Sequence, residues 1–166
     1  DLYKPVVAAI NGTAIAGGME VLYGTDIRIA SENAKFGLQE VKWSIFPAMG
    51  SSVKLPRQLP YAKAMEILLT GELMDAKEAC QLGFVNRVLP VDQVLAEAER
   101  VAQIIVNNGP LAVSAIKKSV IDNIGQPLKD ALAKEIEYAI PVFLSEDIKE
   151  GPRAFKEKRT PAYKGR

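Results

Sequence analysis

From Pro5 to Glu40 the chain reads PVVAAINGTAIAGGMEVLYGTDIRIASENAKFGLQE, and this stretch constrains the fold more than any other. It sets a strand, a glycine-opened helix and a second strand in a row. Val6 to Ile10 form a short run rich in β-branched residues that Asn11-Gly12 close with a turn signal, the pattern of a buried strand in a parallel sheet. Gly17-Gly18 give backbone freedom where a loop enters a helix, which runs through Met19, Val21 and Leu22 to Gly24. Ile27, Ile29 and Ala30 supply the second strand. The first N–H groups of such a helix lack intrahelical partners and favour negative charge. Gly12, Gly17 and Gly18 match neither G-x-G-x-x-G nor G-x-x-x-x-G-K-[ST], which argues against a nucleotide cradle. An oxyanion site remains, because a glycine N–H at a helix start lets a carbonyl oxygen approach closely.

The chain has no histidine, which removes Ser-His-Asp and Cys-His catalysis and the commonest zinc ligand together. Proton transfer then falls to carboxylates set in apolar sequence, where burial brings them toward working pH. Glu20, between Met19 and Val21, and Glu40, after Phe36-Gly37-Leu38-Gln39, are the candidates. Each has a plainer reading on residues alone: Glu20 as a helix-start carboxylate, Glu40 as a solvated loop acid, and Gly17 as a helix-packing glycine.

Further along, Val53, Leu55 and Leu59 flank Pro56 and Pro60 in a helical pattern, and Ala62 to Leu69 runs at helical spacing toward Thr70-Gly71. Asp75 reads as the N-cap of a short helix that ends at Gly83, and Phe84 to Leu89 as a short strand. After Pro90 the pattern is all helix: Val91 to Val106, Pro110 to Asn123, Leu128 to Leu144, and Asp147 toward Lys158. The stripe Val94, Ala98, Val101, Ile104 and Ile105 marks a packed face. Arg153, Lys156, Lys158, Arg159 and Lys164 form a basic tail, ordinarily a solvated surface.

At 166 residues, 48% hydrophobic and 25% charged, the chain has a core-forming composition. Its net charge of +1 gives no global field for nucleic acid or an anionic membrane, and no apolar run is long enough to span a bilayer. Cys80, the single cysteine, fits a reducing compartment such as the cytosol; a targeting peptide ahead of this sequence would redirect it to the mitochondrial matrix or peroxisome.

Four patterns in order, K-P-V-x-A-x-x-x-G from Lys4, G-G-x-E from Gly17, D-I-x-x-A from Asp26 and A-x-F-G-x-x-E from Ala34, resemble the active-site segment of the crotonase (enoyl-CoA hydratase/isomerase) superfamily. The similarity continues through LTGELMDAKEACQLGFVNRVLP and AFKEKRTPAYKGR. It implies an α/β fold, the C-terminal part of a crotonase-like ββα spiral core over residues 1–89 followed by a helical trimerisation region over 90–166. Family hydratases add water to a 2-enoyl-CoA with two glutamates, matched here by Glu20 and Glu40, and with an oxyanion donor matched by Gly17 N–H. The resemblance also implies substrate contacts at Trp43 and Met49 and, at Lys158, a contact with the coenzyme A of a neighbouring subunit. For Trp43, Ile45, Phe46 and Met49, core packing is the plainer reading. Further implications are an acyl-CoA substrate, no metal or cofactor beyond the coenzyme A of the substrate, and a homotrimer or dimer of trimers with no nucleic acid or membrane partner. Hydratases often read P-E at the second acid and P-G-A-G-G afterwards, where this chain has Gln39-Glu40 and Pro47-Ala48-Met49-Gly50-Ser51. Isomerisation, another acyl-CoA dehydration and a non-catalytic binding role are the alternatives. A family segment that supplies the second oxyanion N–H and much of the coenzyme A pocket is expected to lie outside this sequence, so that these residues alone turn over acyl-CoA poorly.

Overall fold

The computed structural model describes residues 2–166, which form two compact units. The first runs from Val6 to Val101; the second holds residues 102–166 together with residues 2–5.

The first unit is built on a parallel sheet of β1 (Val7–Ile10), β3 (Ile27–Ser31) and β6 (Arg87–Leu89), with β3 in the middle. Val7 pairs with Ile27 and Ile10 with Ala30, while Ile29 pairs with Arg87 on the other edge. A central parallel strand is covered on both faces, and side chains two apart share a face. Ile29, with Ile27, packs against Val94 and Ala98. Ala30 points the opposite way into the main core with Ile10, Met19, Leu22, Phe36 and Phe84. Helix α1 (Gly17–Leu22) crosses over between the outer and central strands.

A second sheet, not apparent in the sequence, has the order β2 (Ala14–Ile15), β4 (Lys35–Gly37), β5 (Met74–Asp75). The chain before β5 comes close at Gly37, where a Cβ would sit 2.5 Å from Leu73 Cδ2 and 3.2 Å from Glu72 O, so a larger residue would make Leu73 shift. Phe36 meets Phe84 edge-on, with ring centres 5.7 Å apart. Three helices complete the core: α2 (Ser51–Gln58), α3 (Tyr61–Thr70) and α4 (Ala76–Gln81). Asp75 caps α4 as expected, accepting the Glu78 N–H at 2.8 Å.

The strand expected over Phe84 to Leu89 is shorter than read. Phe84 and Val85 are buried, but their N–H groups donate to Ala79 O and close the end of α4, so hydrogen bonding to β3 begins only at Asn86, whose N–H donates to Arg28 O. Helix α5 (Val94–Val106) buries Val94, Ala98 and Val101, whereas Ile104 is half exposed.

In the second unit α6 (Pro110–Asn123) opens on Pro110, and α7 (Leu128–Phe143) and α8 (Asp147–Glu157) follow. Ile116 and Val120 on α6, and Ile136 and Phe143 on α7, are exposed. The basic tail is more than a solvated run. Asp147 accepts the Lys164 and Gly165 N–H groups, each at 2.8 Å, and Glu150 accepts Arg159, Arg153 and the Ala162 N–H.

Candidate functional site

Glu20 owes its position to the turn from β2 into α1. Ala16 sits there at φ 50°, ψ −128°, a conformation that costs a side-chain-bearing residue roughly 1–3 kcal/mol. It is held at both ends: its N–H donates to Gly37 O, and its carbonyl accepts from Met19 and Glu20. The helix that follows buries Met19 and Glu20 and leaves Gly17 and Gly18 exposed. A Cβ on Gly17 would meet nothing within 4 Å, and its φ is not positive. No packing partner for Gly17 stands among the described residues, and its N–H has no acceptor among them.

Glu20 stands in the first turn of α1, as the plainer reading had it, but it is buried there, only 8% exposed. Its Oε1 accepts two hydrogen bonds, from Met49 N–H at 3.0 Å and from the Ser51 hydroxyl at 2.7 Å. Behind Ser51 stands Tyr23, whose hydroxyl donates to Ser51 Oγ at 3.4 Å.

Glu40 opens a 3-10 turn, Glu40–Trp43, one residue after buried Phe36, Gly37 and Leu38. Its backbone carbonyl accepts the Ile45 N–H, which fixes the turn. Its Oε2 is buried without a hydrogen-bond partner among the described residues, so the solvated-loop reading does not hold. Both carboxylates bear on Tyr23. Burial pushes that phenol's pKa up, the Ser51 hydrogen bond pulls it down, and the negative charges of Glu20 and Glu40 raise it further.

Sequence reasoning missed Arg28, a nearly buried cation that ties the site's helices together. Its guanidinium donates to Leu22 O at 2.6 Å, Phe84 O at 3.0 Å, Thr25 Oγ1 at 2.9 Å and Gln58 Oε1 at 2.9 Å, and lies 4.4 Å over the Phe84 ring. Desolvation lowers its pKa. The signal was present: alternation along β3 puts Arg28 on the same inward face as Ala30. Ser51 and Tyr23 were missed as well, since neither stands in a motif.

Trp43, Ile45, Phe46 and Met49 do not pack into the core. Trp43 is 76% and Met49 67% exposed, although the Met49 backbone reaches Glu20. Lys158 belongs to the second unit, where it ends α8 in a left-handed conformation with its side chain exposed. Among the described residues no cluster of three or more His, Cys, Asp or Glu offers a metal site, and no helix is long and apolar enough to cross a membrane.

The family model described as "Enoyl-CoA hydratase/isomerase" matches residues 1–166. Enoyl-CoA hydratase EchA19 of Mycobacterium tuberculosis is 50% identical over 165 residues, covering 99% of this chain and 62% of that protein. The carnitinyl-CoA dehydratase of Citrobacter koseri is 41% identical over 170 residues, 100% of this chain and 65% of its own length. The chain thus spans less than two thirds of these relatives. The crystal structure of an enoyl-CoA hydratase from Bacillus anthracis superposes with a TM-score of 0.97 at 40% identity, covering all of this chain and 64% of that one, and the fold is the crotonase-like α/β architecture expected.

Proposed function

Because the chain belongs to the enoyl-CoA hydratase/isomerase family, we propose that its protein reversibly adds water to a 2-enoyl-CoA thioester, with Glu20 and Glu40 as the acid–base pair. The observation that carries this reading is the contrast between the two carboxylates around Tyr23. Glu20 Oε1 accepts two hydrogen bonds, whereas Glu40 Oε2 is buried with no partner among the described residues. Two carboxylates in such different hydrogen-bonding surroundings suit the two complementary roles that the addition needs, one taking a proton and one giving it.

In the hydration direction Glu20 takes a proton from water as the water oxygen bonds to Cβ. The Cα–Cβ π electrons shift into the bond between Cα and the carbonyl carbon, and the carbonyl π electrons move onto the thioester oxygen, where the exposed Gly17 N–H stabilises the developing charge. Glu40 then delivers its proton to Cα as the carbonyl re-forms. Exchange with solvent restores the two carboxyls, and reversal of the same steps is dehydration. The scheme uses proton transfer alone and calls for no metal or redox cofactor. Trp43 and Met49 contact the acyl chain, Lys158 contacts the coenzyme A phosphates of a neighbouring subunit, and the apolar helix faces assemble a homotrimer or a dimer of trimers.

Dehydration of another acyl-CoA is a second reading, favoured by the 41% identity to a carnitinyl-CoA dehydratase. The test is an absorbance assay of the protein, expressed from its complete open reading frame, against crotonyl-CoA and longer 2-enoyl-CoAs. Loss of the conjugated thioester absorbance supports the proposal, and no change with any chain length overturns it.

A further inference from the structure

We propose that Ser51, backed by Tyr23, is a positioning residue for Glu20: its hydroxyl fixes Oε1 so that Oε2 alone is left to take the proton from water. This rests on the hydratase reading above.

The directions of the hydrogen bonds follow from the donors. The Met49 N–H can only donate, so Glu20 Oε1 is an acceptor. Tyr23, a phenol that burial keeps protonated, donates to Ser51 Oγ, and Ser51 gives its single proton to Glu20. The three groups form one directed chain ending on the carboxylate. Ser51 has no exposed surface and stands at the first position of α2, where its hydroxyl makes no helix-capping bond. Neither solvation nor capping accounts for it.

The chain is also framed. Arg28 Nη2 donates to Leu22 O at the end of α1 and to Gln58 Oε1 at the end of α2, so the helices carrying Glu20 and Ser51 are held by one guanidinium. A side chain with several rotatable bonds loses little freedom in such a frame unless its terminal atoms are fixed, and Met49 and Ser51 supply that restraint from two directions.

The experiment compares the parent protein with Ser51→Ala, Tyr23→Phe and the double variant, in the complete open reading frame, using crotonyl-CoA. Ser51→Ala should lower kcat roughly tenfold, the value of one hydrogen bond to a charged group, with KM within about twofold. Tyr23→Phe should lower kcat by a smaller factor, and in the Ser51→Ala background it should have no further effect, because it acts only through Ser51. Full kcat in Ser51→Ala, a loss confined to KM, or independent effects in the double variant overturns the proposal. Tyr23→Phe keeps its ring, so it decides the matter by the same kcat reading if Ser51→Ala does not fold. Infrared difference spectra against Glu20→Gln, taken without substrate, separate the two readings. A parent without turnover removes the hydratase reading; an unshifted Glu20 carboxylate band in Ser51→Ala removes the positioning role whatever the turnover.

Discussion

Arg28 Nη2 lies 2.6 Å from Leu22 O, the last residue of α1, and the same nitrogen reaches Gln58 Oε1 at 2.9 Å. The buried cation is therefore a joint between two helices, answered by carbonyl and amide oxygens. Replacing it with methionine affects these acceptors unequally. Leu22 O keeps Thr25 N–H and Thr25 Oγ1 as donors, while Phe84 O loses the donor it has in Arg28. One buried carbonyl left unpaired costs about 1–3 kcal/mol, partly offset because a charge no longer needs burying. Arg28→Met should lower unfolding free energy by about 2 kcal/mol in urea titration, and Arg28→Lys by a similar amount, since one ammonium cannot copy the fork. Unchanged stability in both would remove the joint from this account.

Glu20→Gln and Glu40→Gln should each reduce hydration of crotonyl-CoA by roughly 100-fold to 10,000-fold with the fold intact, because an amide keeps the shape without exchanging the proton. The double variant should add little to either single one. Near-parental turnover in either variant would refute the two-carboxylate scheme.

At the entry to α1, strain and site can be separated. Ala16→Gly should stabilise the protein by about 1 kcal/mol, since glycine adopts positive φ without penalty. Gly17→Ala meets open space and should leave the melting temperature unchanged or raised. It should still lower kcat about tenfold or more by obstructing approach to the N–H. If Gly17→Ala instead melts early with full activity, packing is its role after all.

The Arg159 guanidinium, and then the Ala162 N–H, hold the Glu150 carboxyl's pKa down from an ordinary 4.5 to about 2. A depressed folded-state pKa means that the contribution is complete above the unfolded value and fades as pH falls through the folded one. Tail docking should thus persist at pH 4 and be lost toward pH 2. Amide exchange at Ala162 measures it directly, and protection that disappears already near pH 4.5 would contradict the assignment. Glu150→Gln should loosen the same amide at neutral pH.

The strand, helix and strand from Val6 to Ala30 were legible because a β-branched run and glycine punctuation are local signals. β2 and β5 were not, since two residues give no period to read and their pairing with β4 is set by distant chain. Phe84 and Val85 have the composition of a strand, but their N–H groups were claimed by the end of α4. Apolar character at Trp43 and Met49 could not distinguish core from exposed surface. Glu20 and Glu40 were legible through motif spacing, whereas Ser51 came into view only once α2 had been placed beside α1.

The central position of β3 also orders events in time. Its contact with the β1 edge spans 20 residues, from Val6 to Asp26, whereas its contact with the β6 edge spans 58, from Arg28 to Asn86. Closing the longer loop costs about 1 kcal/mol more in chain entropy, before the intervening helices have returned anything. The β1–β3 pair is thus expected to nucleate the sheet and β6 to dock late. Ile10→Val should slow refolding and Val88→Ala should chiefly hasten unfolding, and the opposite partition in a chevron analysis would reverse the order.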